Sequence, residues 1–141
     1  MTPEQITLVQ SSFDRLGPDL PALTARFYQE VFQRDPALRP LFPSDLAELR
    51  VKFAHKLTEI VQSMPRLAEL LVHTRALGAR HVGYGVRTRD YQTIGDSLIA
   101  ALAAVLGEEF DAQTHEAWVL AYTLVAETML DGAAAARPIG S

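Results

Sequence analysis

The chain has 141 residues, of which 48% are apolar, with a formal net charge of −4 and no cysteine. A chain of this size and apolar content buries a full core in one domain and is not disordered. The lack of cysteine excludes disulfides and thiolate metal clusters, and an acidic balance without any basic block argues against nucleic acid as a partner. No apolar run reaches the roughly 18 residues that a membrane span needs. The first residues do not read as a secretory signal, so the expectation is a soluble, cytoplasmic protein with no membrane partner.

In chain order, Thr2-Pro3-Glu4-Gln5 predicts a helix start, with an N-cap, a proline in the first turn and a capping-box glutamine. Ile6, Val9, Phe13 and Leu16 continue at helical spacing until Gly17-Pro18. A second helix carries Leu20, Leu23, Phe27, Val31 and Phe32 inward, with Tyr28 on the same broad face, and ends at Asp35-Pro36. The stretch from Pro36 to Pro43 predicts a short helical corner that lands Phe42 between prolines. Ser44 is the expected cap of a third helix, whose stripe is Leu46, Leu49, Phe53, Leu57, Ile60, Val61 and Met64, stopped by Pro65.

The next stripe, Leu67, Leu70, Leu71, Thr74, Leu77, Gly78 and His81, puts one histidine at the end of an otherwise apolar helix face, just before Gly83-Tyr84-Gly85. His81 is the only strong metal-ligand type on that face, and Gly78 one turn earlier removes bulk beside it. A neutral imidazole placed so is able to hold a metal through one nitrogen while the other bonds a nearby carbonyl. A core histidine satisfied by ordinary hydrogen bonds is the competing reading. Asp90 or Thr88 is the expected cap of the following helix, with Ile94, Leu98, Leu102, Val105 and Leu106 inward and Gly107 as its stop. Asp111 is the expected cap of the last helix, striped by Trp118, Tyr122, Val125 and Met129. Residues 132–141 lack a stripe and are expected to form a disordered tail, leaving one domain over 1–131. No alternating strand pattern or phosphate loop interrupts this series. The sequence therefore predicts an all-α domain of six to seven helices.

Four landmarks, in order and spacing, make the chain resemble a bacterial single-domain haemoglobin, close to the globin part of flavohaemoglobins. They are Leu23-Thr-Ala-Arg-Phe27-Tyr28, Leu38-Arg-Pro-Leu-Phe42, Ala79-Arg80-His81, and Tyr91 ten residues after the histidine. The resemblance implies a globin fold enclosing a b-type haem, with His81 as the iron ligand, Tyr91 on the proximal side and Phe42 against the porphyrin. It further implies that Tyr28 donates a hydrogen bond to a bound gas on the distal side. Phe53, Leu57, Val86, Ile94 and Leu98 are the expected apolar lining, with Tyr122 or Val125 closing the pocket from the last helix. Lys52 and Arg80 are the expected partners of the haem propionates.

Two positions depart from the family pattern. Leu49 falls where a distal glutamine or histidine is usual, although a shift of one residue would put Glu48 or Arg50 there. The proximal glutamate of the family has no counterpart in register: Ala133 is found there, with Asp131 as a possible substitute if the helix end shifts. The implied function is reversible binding of O2, and of CO and NO, for oxygen binding, storage or transport by a monomer or weak homodimer. Nitric oxide dioxygenation with a separate reductase is the enzymatic alternative, since no flavin or nicotinamide stretch follows. A haem-based gas sensor is the regulatory one.

Overall fold

The computed structural model describes residues 1–66, 74, 75, 77 and 89–136, with 131 and 133–136 described by backbone alone. The expected capping box starts α1 (Pro3–Leu16): Thr2 Oγ1 accepts from the Gln5 amide at 3.2 Å, and Gln5 Oε1 accepts from the Thr2 amide at 2.9 Å. Gly17 ends the helix at φ 42°, a conformation open to glycine without strain. After one 3-10 turn, α2 spans Leu20–Arg34. A 3-10 corner, Pro36–Leu41, then turns the chain, and Asp35 Oδ1 accepts from the Ala37 amide at its start.

Helix α3 covers Ala47–Ser63, and its entry differs from expectation. Asp45 does the capping work expected of Ser44, accepting from the Ala47 amide at 2.9 Å. A carboxylate at that position offers a stronger acceptor to the exposed first-turn amides than a hydroxyl does. Helix α4, Asp90–Leu106, also departs from its expected cap: Asp90 is already inside the helix as its first residue and is buried. Thr88, the other candidate, lies outside the described residues. Gly107 stops α4 at φ 59° as expected. Asp111 caps α5 (Ala112–Ala136) by accepting from the Thr114 amide at 2.8 Å, and this bond holds its carboxyl below the usual range.

Helix α5 runs five residues past the expected end at Asp131. The added residues are Gly132 and four alanines; alanine is the strongest helix former, so the helix continues without a hydrophobic stripe. Residues 137–141, the rest of the expected tail, lie outside the described residues, as does most of the predicted helix leading to His81. Thr74, Arg75 and Leu77 of that helix are described and helical. Among the described residues there are five α-helices and no strand, so the all-α prediction holds.

Helix α2 packs chiefly on α4 and also on α3, while α1 lies along α5. The core between them holds Val9, Leu16, Leu23, Val31, Ala101 and Leu102, all essentially without solvent contact. Burial of each such aliphatic side chain is worth about 1.5–3 kcal/mol. Across the α1–α5 contact, Trp118 Nε1 donates to Ser12 Oγ at 2.8 Å, and the Ser12 hydroxyl donates to the Leu8 carbonyl at 2.7 Å. A second cluster joins Tyr91, Ala126 and Met129 to Leu77, Tyr122, Val125 and Leu130. This cluster ties Leu77, four residues before His81 in the sequence, to the start of α4 and the end of α5.

Candidate functional site

Helix α2 presents Tyr28 to a box of rings contributed by three segments. Phe27 and Phe32 come from α2 itself, Phe42 from the 3-10 corner and Phe53 from α3. The centroids of Phe42 and Phe53 lie 5.9 and 6.1 Å from that of Tyr28, both rings edge-on. Edge-to-face packing of this kind fixes ring orientation beyond the effect of area alone. Tyr28 is 7% exposed, and its hydroxyl makes no hydrogen bond among the described residues. Burial pushes the phenol up to about 12, with the Arg50 guanidinium pulling the other way.

The box is held by two contacts that the sequence pattern did not announce. Phe27 stacks on Phe53 at 4.4 Å with the planes 3° apart, locking α2 to α3 directly behind Tyr28. Arg39 lies over the Phe32 ring at 5.0 Å and donates to the carbonyls of Phe42, Pro43 and Ser44. One guanidinium thus pins the corner that delivers Phe42. An arginine between Leu38 and Pro40, in a segment poor in backbone hydrogen bonds, was the available signal for it.

On α3, Leu49 is half-buried and packs on the main core, as does Phe53, while Leu57 is buried. Arg50 is half-buried as well. Lys52 is exposed and pairs with Glu48 at 3.3 Å. His55, two residues past Phe53 and so off its stripe, is exposed. On α4, Leu98 is buried and Ile94 half-buried against the main core.

Tyr91 is buried at the start of α4, and its hydroxyl has no hydrogen-bond partner among the described residues. Burial raises its pKa. Its backbone carbonyl accepts from Tyr122 Oη at 2.6 Å. Gly95 makes room for the Tyr122 ring: a Cβ there would lie 2.5 Å from Tyr122 Cε2. The Tyr122 phenol is raised in turn, first by burial and then by Tyr91 and Asp96. Val125 packs in the same cluster as Tyr91. Tyr28, Phe42 and Phe53 are therefore brought together at one place, and Tyr91, Tyr122 and Val125 at another. Arg80, His81 and Val86 lie outside the described residues, and the side chain of Asp131 is likewise not described.

Among the described residues no cluster of histidine, aspartate and glutamate assembles a metal site, and no helix is long and apolar enough to cross a membrane. The chain is 25% identical to a flavohemoprotein from Vibrio cholerae, over 93% of this chain and 34% of that protein. It is 28% identical to a flavohemoprotein from Bordetella pertussis, over 92% of this chain and 33% of that one. The chain thus spans about a third of the length of these relatives. It is also 25% identical to neuroglobin-1 of Oncorhynchus mykiss, covering 94% of this chain and 92% of that protein. A solved bacterial globin from Campylobacter jejuni superposes with a TM-score of 0.83 at 24% identity, covering 95% of this chain and 97% of the other. Residues 25–129 match the Globin family, and with the helical architecture in agreement the chain belongs to that family.

Proposed function

We propose that the protein is a haem protein that binds O2 reversibly, together with CO and NO, at a b-type haem ligated by His81. The observation that carries this reading is the Tyr28 phenol, buried among four rings with no bond to any described residue. A neutral hydroxyl in a dry aromatic box is a preorganised donor for a small, partly negative ligand. The second buried phenol fits the same group. Tyr91 holds a hydroxyl without a described partner, ten residues after a histidine that the sequence places on an apolar face. A buried donor in that state calls for an acceptor nearby, as the surroundings of a ligating imidazole would provide.

A bound haem, held by His81, would supply the iron chemistry that takes a diatomic gas. The side chains of the protein do the rest. Phe42 and Phe53 would keep water from the distal slot, Leu57 and Leu98 would add apolar lining, and the Tyr28 hydroxyl would donate a hydrogen bond to the gas. Tyr122 fixes the Tyr91 carbonyl, which orients the start of α4. Lys52 and Arg80 are assigned to the propionates, and Leu49 to the edge of the distal slot. With Ala133 in register where the family has a glutamate, the imidazole would carry less anionic character, which favours reversible binding.

The test is spectroscopic. Hemin added to the purified chain gives a Soret band, and the deoxy-ferrous form shows one broad visible band, the sign of five-coordination. Tyr28→Phe then raises the O2 dissociation rate by more than tenfold, for loss of a charge-assisted bond worth about 1.5–3 kcal/mol. A chain that does not take up hemin, or an unchanged dissociation rate, refutes the reading. The likeness to flavohemoproteins favours a second reading, in which the same pocket oxidises NO with O2 to nitrate. That cycle leaves ferric haem and consumes one electron per turnover, so it needs a separate reductase. Sustained NO consumption only in the presence of such a reductase distinguishes it.

A further inference from the structure

We propose that Arg50 makes the distal slot a receptor for small monovalent anions of the azide and nitrite class, a property that rests on the haem reading above. Arg50 lies three residues before Phe53 and therefore shares its face of α3, and the Phe53 ring is 6.1 Å from that of Tyr28. Its amide donates to the Leu46 carbonyl at 2.9 Å, so it sits in the first regular turns of the helix rather than on a loose end. The positions three and four away on either side are Leu46, Ala47, Phe53 and Ala54. No carboxylate on its own face is placed to neutralise it.

The contrast with its neighbours is marked. Val51 and Lys52 are exposed, and Lys52 is paired with Glu48. Arg50 is half-buried, and its guanidinium forms no ion pair or hydrogen bond among the described residues. Its charge reaches Tyr28, where it opposes the effect of burial on the phenol. A half-buried guanidinium without an anionic partner among the described residues, on the helix face of Phe53, adds positive potential to the Tyr28 side of the slot, where it is screened less than at the open surface. Such a slot gives a neutral gas only the Tyr28 hydrogen bond. An anion gains the full charge and further N–H donors as well. The net charge of −4 on the whole chain opposes anion entry, but beyond about 8–10 Å it is screened at physiological salt.

Azide binding to the ferric haem-loaded protein, followed by the Soret shift, tests this in wild type, Arg50→Gln and Arg50→Lys, with CO binding to the ferrous forms as the neutral control. The glutamine variant is expected to raise the azide Kd about tenfold or more while changing CO affinity less than twofold. The lysine variant is expected to recover part of the loss. Azide association should slow with rising NaCl in wild type and stay flat in Arg50→Gln. An azide Kd shared by wild type and Arg50→Gln overturns the inference while the Soret band leaves the haem reading intact, and a parallel loss of azide and CO affinity overturns it as a merely structural effect. Absence of the Soret band refutes both.

Discussion

Tyr28 shows what burial does to a single group and how that is measured. An unperturbed phenol ionises near pH 10, whereas in the fold this one is pushed up to about 12. Between those values the unfolded chain releases the proton and the folded chain retains it. The stabilising contribution is therefore complete below pH 10 and is lost as pH rises toward 12. Tyr91 is shifted in the same direction by burial, and Tyr122 first by burial and then by Tyr91 and Asp96. The urea midpoint should fall between pH 9.5 and 11.5, and less steeply in Tyr28→Phe; equal slopes would contradict this account. Glu30 gives the opposite sign. It accepts from Arg26 at 2.9 Å and from Arg34, and these bonds hold its carboxyl below the usual range. Its contribution is present above the ordinary carboxylate pKa and lost as pH falls through the lowered one. Glu30→Gln should therefore flatten the acid limb of a stability–pH profile measured from pH 6 to pH 3, whereas an unchanged limb would mean that solvent already screens the pair.

At the scale of the helix, the sequence pattern located every α-helix of which the structure describes more than isolated residues, but read the 3-10 turns at Gly17–Asp19, Met64–Arg66 and Gly107–Glu109 only as stops. The 3.6-residue stripes of Val9, Leu16, Leu23, Val31 and Leu102 became the buried core because period alone decides which face turns inward. Caps were legible at Thr2 and Asp111, and were misread at Ser44, where Asp45 one residue on is the acceptor, and at Asp90, where the N-cap position is Arg89 and no side chain caps the helix. Contacts between distant segments were not legible. The Trp118–Ser12 bond joins residues 106 apart, and nothing in the local pattern pairs them. That bond is a point at which α1 holds α5. Ser12→Ala would leave a buried indole N–H without its acceptor, at a cost of about 1–3 kcal/mol. The thermal midpoint should drop by several degrees, and Ser12→Ala combined with Trp118→Phe should recover part of the loss. If the double variant is the sum of the two singles, the bond does not carry the coupling.

The described residues pack as two clusters that share Tyr122. The main core fixes α1 through α4 and carries Tyr28, Phe42 and Phe53, while the smaller Tyr91 cluster ties the start of α4 and the end of α5 to Leu77. The second cluster depends on a close approach. A Cβ on Gly132 would lie 1.9 Å from the Arg75 carbonyl oxygen, so α5 reaches the backbone of that helix only because the residue is glycine. Leu77 and Arg75 precede His81 by four and six residues, so this approach also sets where the predicted ligand helix lies. Gly132→Ala forces backbone to move away from backbone, which no rotamer change relieves, and overpacking of this kind costs about 1–3 kcal/mol. The haem-free protein should lose that amount in a urea titration. The haem-loaded protein should lose more, because a displaced ligand helix weakens the cofactor, and binding to the folded state alone stabilises it by RT ln(1 + [L]/Kd). A second measurement separates the two effects: the rate of haem transfer to an excess of apomyoglobin should rise in Gly132→Ala and remain unchanged in Ser12→Ala, which is destabilised through α1 instead. Equal transfer rates in wild type and Gly132→Ala would show that the α5 contact supports the fold without positioning the ligand helix.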